Sequence, residues 1–223
     1  MVLFFFFCGL VAVQPLIAAQ SITFSGTVFN VSNKPVMGAD VYVFDSPNVK
    51  RPADYISNTT GENGRFQITL PQGKYWVVAT KRQNRARFGP LGKDDKHSGD
   101  PVELDLVGKK TFEHDFEVLN LREAAWKNRK RNAELFRISG KIVSHNGEPV
   151  AMAYVLVDKN RQFKDFPDYM STWTDNDGKY ELYLPAGSFY IGASLSYPPE
   201  DDNHLKKELE LHTDLVGIDL TVR

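Results

Sequence analysis

The chain is predicted to be all-β: two tandem antiparallel β-sandwiches of seven strands each, joined by a short helical linker. Three observations lead there. Sliding the 223-residue sequence by 114 positions aligns 22–80 with 136–194 without a gap, with 17 identities over 59 positions. An internal repeat of this kind marks a duplicated structural unit. Within each copy, apolar residues alternate with polar ones, as in Ala39, Val41 and Val43, then Phe66, Ile68 and Leu70, then Tyr75, Val77 and Ala79. Period two with β-branched and aromatic residues is the signature of strands with one buried face. Turn-forming clusters separate these runs: Asn33-Lys34-Pro35, Glu62-Asn63-Gly64 and Pro71-Gln72-Gly73, matched later by Asn146-Gly147, Asp177-Gly178 and Pro185-Ala186-Gly187.

The elements follow in order. Residues 1–33 carry no charged side chain, and Val2–Val13 is almost wholly apolar, followed by the small residues Ala18-Ala19. An apolar run of this length before small residues predicts a secretory signal peptide over 1–19, too short to span a bilayer. After its removal no membrane-spanning segment is expected, and the mature chain loses Cys8, its single cysteine. Stability then has to come from an apolar core, with no disulfide to help. The first sandwich is assigned to 21–120 and the second to 136–223, closing with Phe112–Leu119 and Leu215–Val222. Asp105-Leu-Val-Gly108 also matches Asp214-Leu-Val-Gly217 at a shift of 109, which predicts five fewer residues in the second copy before that point. Between the sandwiches, 121–135 is basic, contains Ala124, Ala125 and Leu135, and is the one helical candidate.

The repeated pattern is Gly-x-Val, Pro-Val-x-x-Ala-x-Val-x-Val, Thr-x-x-x-Gly-x-Phe/Tyr and Leu-Pro-x-Gly-x-Tyr/Phe. It resembles the carboxypeptidase regulatory-like domain, carried mainly by 22–80 and 136–194. That resemblance implies a transthyretin-like (prealbumin-like) β-sandwich in each copy. It also implies an accessory, non-catalytic role, since such domains occur in secreted peptidases, receptors, cell-surface proteins and glycan-binding modules. The fold alone does not choose among these.

Composition removes several classes. With 42% hydrophobic and 25% charged residues the chain is an ordinary folded one, and a net charge of −1 argues against a nucleic-acid binder. His114-Asp-Phe-Glu117 has the spacing of a zinc-peptidase motif. On a strand, however, His114 shares a face with Phe112, Phe116 and Val118, while Glu117 points to the opposite one. Two ligands so placed do not converge on a metal, so no metal site is expected there. Asp175-Asn-Asp-Gly178 has its glycine at the fourth position where an EF-hand has it at the sixth, and reads as a hairpin turn. The five histidines stand singly, and no Gly-x-Ser-x-Gly elbow or phosphate-binding glycine loop occurs. The chain is therefore expected to be no enzyme and to need no cofactor.

Binding candidates remain. Residues 21–120 hold 13 basic and 12 acidic side chains, the linker 5 and 2, and 136–223 hold 9 and 14. After the Gly73–Thr80 strand comes a basic stretch with Lys81, Arg82, Arg85 and Arg87; the equivalent exit in the second copy is acidic, Glu200-Asp201-Asp202. Loops carry recognition in such scaffolds, and the three arginines point to a docking surface for an acidic partner. Trp76 and its counterpart Tyr190 lie out of phase with the core residues, and with Trp173 they form the candidate aromatic platforms. The competing reading is that Trp76 and Trp126 cement the repeats to the linker. The expected function is an exported adhesion, scaffold or accessory module that binds a partner protein through loops and edge strands. The alternative is a carbohydrate-binding module for cell-surface or extracellular glycans.

Overall fold

In the computed structural model, residues 20–83, 88–130, 135–162, 166–199 and 205–222 are described. The candidate signal segment, Cys8, Arg85, Arg87 and the acidic 200–202 stretch lie outside them, as does the side chain of Trp126. The first repeat contributes β1 (Ser21–Phe29), β2 (Asp40–Phe44), β3 (Tyr55–Ile56), β4 (Arg65–Pro71), β5 (Lys74–Lys81), β6 (Lys96–His97), β7 (Val102–Asp105), β8 (Thr111–Glu113) and β9 (Phe116–Glu117). After α1 (Leu121–Lys130), the second contributes β10 (Leu135–Val143), β11 (Tyr154–Asp158), β12 (Tyr169–Met170), β13 (Lys179–Pro185), β14 (Gly187–Ser194), β15 (Leu205–Leu211), β16 (Leu215–Val216) and β17 (Leu220–Thr221).

Each repeat folds into two sheets over its own core. In the first, β4-β1-β8 with β9 faces β3-β2-β5-β6 with β7; in the second, β13-β10-β16 with β17 faces β12-β11-β14-β15. The alternation read from the sequence sets the inner faces. Ile22, Phe24 and Val28 of β1 pack against Val41, Val43, Tyr75, Val77 and Phe66. Ile138 and Ile142 of β10 pack against Val155, Val157, Phe189, Ile191 and Tyr180. Phe24 and Phe66 meet edge to face at 5.2 Å, a favoured aromatic geometry.

The last strand of each repeat departs from the antiparallel expectation: it runs parallel to the first strand and is broken in two. The break falls where the two backbones approach closely. A Cβ on Gly26 would lie 1.8 Å from the His114 carbonyl oxygen, and one on Gly140 would lie 2.1 Å from that of Ile218. Only glycine admits that approach. At the break a carboxylate replaces the missing ladder bond: Thr27 N–H donates to Asp115 Oδ1 at 2.7 Å, and Lys141 N–H to Asp219 Oδ1 at 2.9 Å.

The backbone also overturns the 109-residue match. Leu104 sits beside Tyr75 and Leu209 beside Phe189, so these two leucines are counterparts. Phe112 beside Phe24 corresponds in turn to Leu215 beside Ile138. Asp105–Gly108 thus ends an edge strand, whereas Asp214–Gly217 enters the closing one. The shared tetrapeptide serves two different turns.

Two hydroxyl pairs recur inside the sandwiches. Thr60 Oγ1 and Ser57 Oγ accept the N–H groups of Ala39 and Val41 at 2.8 and 3.0 Å; Thr174 and Ser171 do the same for Ala153 and Val155 at 3.0 and 2.8 Å. These donors are buried, and the hydroxyls stand in for the strand partner they lack. The linker helix is shorter than the basic stretch: Leu135 already belongs to β10, paired with Pro185. Asn120 opens the helix with a reciprocal cap, its Oδ1 accepting the Glu123 N–H at 2.9 Å while Glu123 Oε2 accepts the Asn120 N–H at 2.8 Å. Among the described residues no helix is long and apolar enough to cross a membrane.

Candidate functional site

The outer faces of the β2-β5 and β11-β14 sheets carry their own apolar clusters. On the first, Tyr42, Phe44 and Val78 are buried beneath Val49, Ala53, Ile56 and Trp76. On the second, Tyr154 and Leu156 lie beneath Met170, Trp173, Tyr190 and Tyr197. The segment leaving β5 bridges these clusters. Arg82 folds back under it, with Nη1 and Nη2 donating to the carbonyls of Pro90 at 3.1 Å and Gly89 at 2.6 Å. Asp95, almost fully buried, accepts the N–H groups of Gln83 and Gly92, both at 2.7 Å.

The segment so braced touches the second repeat. Trp173 N–H donates to the Leu91 carbonyl at 2.9 Å, and the Phe88 ring meets Tyr197 at 5.0 Å. From the other side Lys50 Nζ reaches the carbonyls of Pro167 at 2.5 Å and Asp168 at 3.4 Å. Burial lowers the Lys50 pKa, opposed by the nearby Asp168 and Asp158 carboxylates. A cleft of about 740 Å³ results, lined by the nearly buried Tyr42, Phe44 and Val78 and by Arg82, His97, Met170 and Tyr197 among others. Burial brings the His97 imidazole down to about 4, with the Arg82 charge adding to the effect and Asp100 opposing it. At neutral pH the ring is uncharged, and its Nδ1 accepts the Gly99 N–H at 2.9 Å. Burial also pushes the Tyr197 phenol up to about 12.

A second cleft, of about 600 Å³, opens on the other side of Thr172 and Trp173 and is lined by Lys93, Asp94, Arg122, Lys179 and Glu181 among others. Its charges are largely paired. Lys93 lies 3.6 Å from Asp175, and Arg122 and Arg137 lie 3.8 and 3.7 Å from Glu181.

The residues singled out from the sequence therefore occupy different places. Arg82 is a loop brace, with both terminal nitrogens committed to carbonyls. Trp76 is half-buried in the outer cluster of the first repeat, with Lys74 Nζ 5.5 Å over its ring. Trp173 and Tyr190 share the outer cluster of the second repeat, where Trp173 meets Tyr154 edge to face at 4.8 Å. Of the three aromatics, Trp173 alone lines one of the two clefts. His114 packs edge to face on Phe116 at 4.9 Å and Glu117 pairs with Lys127 of the helix. The strand breaks at His114-Asp115, so the opposite faces expected of an unbroken strand do not hold, and both residues line the larger cleft. In the 175–178 segment Gly178 N–H donates to the Asp175 carbonyl at 2.9 Å, and Gly178 takes a φ of 66°, a tight turn.

Sequence reasoning missed Lys50, Leu91 and Tyr197, which join the repeats. Lys50 and Leu91 act through a flexible amine and a backbone carbonyl, for which no pattern exists. The Asn120-Leu-Arg-Glu123 cap was readable, since Asn followed three residues later by Glu is a helix-start signal.

No protein-family model and no curated protein matches the chain. Among solved structures it is similar to the Bacillus anthracis TIE protein, at 13% identity and a TM-score of 0.30, covering 91% of this chain and 34% of that one. It is similar to a streptococcal ancillary pilin at 11% identity and a TM-score of 0.32, covering 92% of this chain and 63% of the other. A DUF3823 family protein from Parabacteroides merdae gives 15% identity and a TM-score of 0.31, with 79% and 92% covered. The chain thus spans about a third of the first and under two thirds of the second. Likeness at this level assigns no function.

Proposed function

We propose that this chain is an exported, non-catalytic binding module of the carboxypeptidase regulatory-like kind, with sandwiches over 21–120 and 136–223, that docks a partner protein in the larger cleft between them. The observation that carries this reading is the state of the polar groups in that cleft. Arg82, Asp95, His97 and Glu117 each hold a neighbouring group in place, and Lys50 is bound across the seam. With these groups committed, Arg82 Nε excepted, which is buried without a partner among the described residues, the apolar side chains lining the cleft, such as Val49, Ala53 and Phe88, are left for a partner's side chains. Arg85 and Arg87 precede Phe88, a lining residue, in the sequence, and their charge suits an acidic partner surface. Export rests on the apolar 1–19 segment.

A second reading is favoured by Trp173. An indole in a cleft lined by charged side chains and the Asn120 carboxamide is the chemistry that stacks on a sugar ring and bonds its hydroxyls, so a glycan is the alternative ligand of the smaller cleft.

The test captures proteins from the host's cell envelope and exterior on the immobilised chain, alongside Phe88→Ala and the Arg85→Ala/Arg87→Ala pair, with a glycan array run in parallel. A protein retained by the wild type, weakened by salt and lost on both variants, supports docking at the larger cleft. Capture indifferent to the variants sinks it, and an array hit abolished by Trp173→Ala moves the assignment to the glycan.

A further inference from the structure

The duplication allows one sheet edge to be compared with its own copy. Val28 N–H donates to the Gly64 carbonyl and Ile142 N–H to that of Gly178, both at 2.8 Å. Because antiparallel ladders alternate, residues 66, 68 and 70 of β4 then turn their backbone groups toward β1, and 65, 67 and 69 turn outward. In β13 the outward positions are 179, 181 and 183 by the same phase. In the first repeat this edge is plugged from within. Asn63 Oδ1 takes the Arg65 N–H at 3.1 Å, and Asn58 Oδ1 takes the Gln67 N–H at 2.7 Å.

In the second repeat the plugs are gone. Thr172 stands where the first repeat has Asn58, and Asp177 stands where it has Asn63. Thr172 is too short to reach, and Asp177 instead holds the Lys179 ammonium at 3.0 Å. Among the described residues no side chain takes the outward N–H of Lys179 or Glu181. An edge left in this state is a template for another strand.

We propose that β13 is a strand-accepting edge and that its occupant is a second copy of this chain, paired β13 to β13 about a twofold axis at Tyr180. Antiparallel pairing about Tyr180 sets Lys179 opposite Glu181 of the second copy, and Glu181 opposite that copy's Lys179. The outward N–H and C=O groups of these residues then face each other as bonded pairs. Each pair is also an ion pair, so the edge is complementary in charge to itself, as a twofold interface requires. Glu181 is held ready, with the Tyr183 hydroxyl donating to its Oε1 at 2.6 Å and the Arg122 and Arg137 guanidiniums nearby. Lys179 is exposed and exchanges its bond to Asp177 for the new one. The interface is separate from the larger cleft, so it does not depend on docking there; Lys179, Tyr180 and Glu181 line the smaller cleft, so a second copy paired here and a glycan compete for the same place.

The test is sedimentation equilibrium of the purified chain over a wide concentration range, with circular dichroism as the check on folding. With residues 1–19 removed, the wild type is expected to rise from the monomer mass, below the 25.2 kDa of the full 223 residues, toward twice that mass. Thr172→Asn supplies the carboxamide that plugs the first repeat and is expected to remain monomeric. Lys179→Glu, a surface change that leaves the core untouched, is expected to weaken association about tenfold by setting like charges opposite each other. A wild type that stays monomeric up to millimolar concentration overturns the proposal. So does association that Lys179→Glu leaves unaltered, and that variant decides the matter if Thr172→Asn fails to fold.

Discussion

The acid response of His97 offers the sharpest quantitative check on how the larger cleft is built. Its imidazole titrates near 4 in the folded protein against an ordinary value of 6.5. On acidification the unfolded chain takes up the proton first, so stability is whole above about pH 6.5 and drains away as pH falls toward 4. For a gap of this size the loss is about 2 kcal/mol by pH 5 and about 3 kcal/mol by pH 4, after which it levels off. These figures are ceilings, because part of His97 is open to the cleft. The assay is urea unfolding at half-unit steps from pH 7 to 4, comparing wild type with His97→Asn. The asparagine carboxamide offers an oxygen where Nδ1 accepts the Gly99 N–H and cannot titrate in this range. Carboxylates common to both proteins, including Asp54, which Arg51 draws down to about 2, cancel in the difference. The wild type is expected to lose stability relative to the variant between pH 6.5 and 4. Parallel curves would refute the argument that His97 is held neutral by burial beside Arg82.

Two further outcomes follow from the internal hydroxyls and a strained turn. Thr174→Val keeps the shape but leaves the buried Ala153 N–H without its acceptor, and is expected to cost about 1–3 kcal/mol in urea unfolding; a neutral result would mean that the strand repacks to find another partner. Met152 holds a φ of 54° where the first repeat has Gly38 at 77°, and it is 58% exposed. Met152→Gly removes left-handed strain of about 1–2 kcal/mol at an entropic cost of about 0.5–1 kcal/mol, so a net gain in unfolding free energy is expected. A loss would show that the methionine side chain contributes more than its exposure indicates.

What the sequence made legible was whatever is written in local period and in duplication. The inner faces of β1, β2, β4 and β5 were readable because burial on one side of a strand forces alternation. The second copy repeated the message at the same spacing, with Ser57 and Thr60 returning as Ser171 and Thr174. The closing strand was located but not its direction, since a parallel pairing broken by Asp115 carries no local signature. The four-residue echo of Asp105–Gly108 at Asp214–Gly217 misled for a related reason. A turn sequence records how the chain bends and not which strands it joins, and the loops before it had changed length. The cleft was least legible of all. Arg82 was read as a recognition charge because a loop arginine near other basic residues usually faces solvent; here it braces two carbonyls of its own loop. Recognition chemistry and scaffold chemistry use the same guanidinium, and only the positions of Gly89 and Pro90 separate them. The same logic explains why β13 could not be singled out from its own residues. Its outward donors differ from those of β4 only through Thr172 and Asp177, outside the strand and mute until the backbone phase is known. A duplicated fold is informative at such places, because one copy supplies the reference against which the other's missing plug becomes visible.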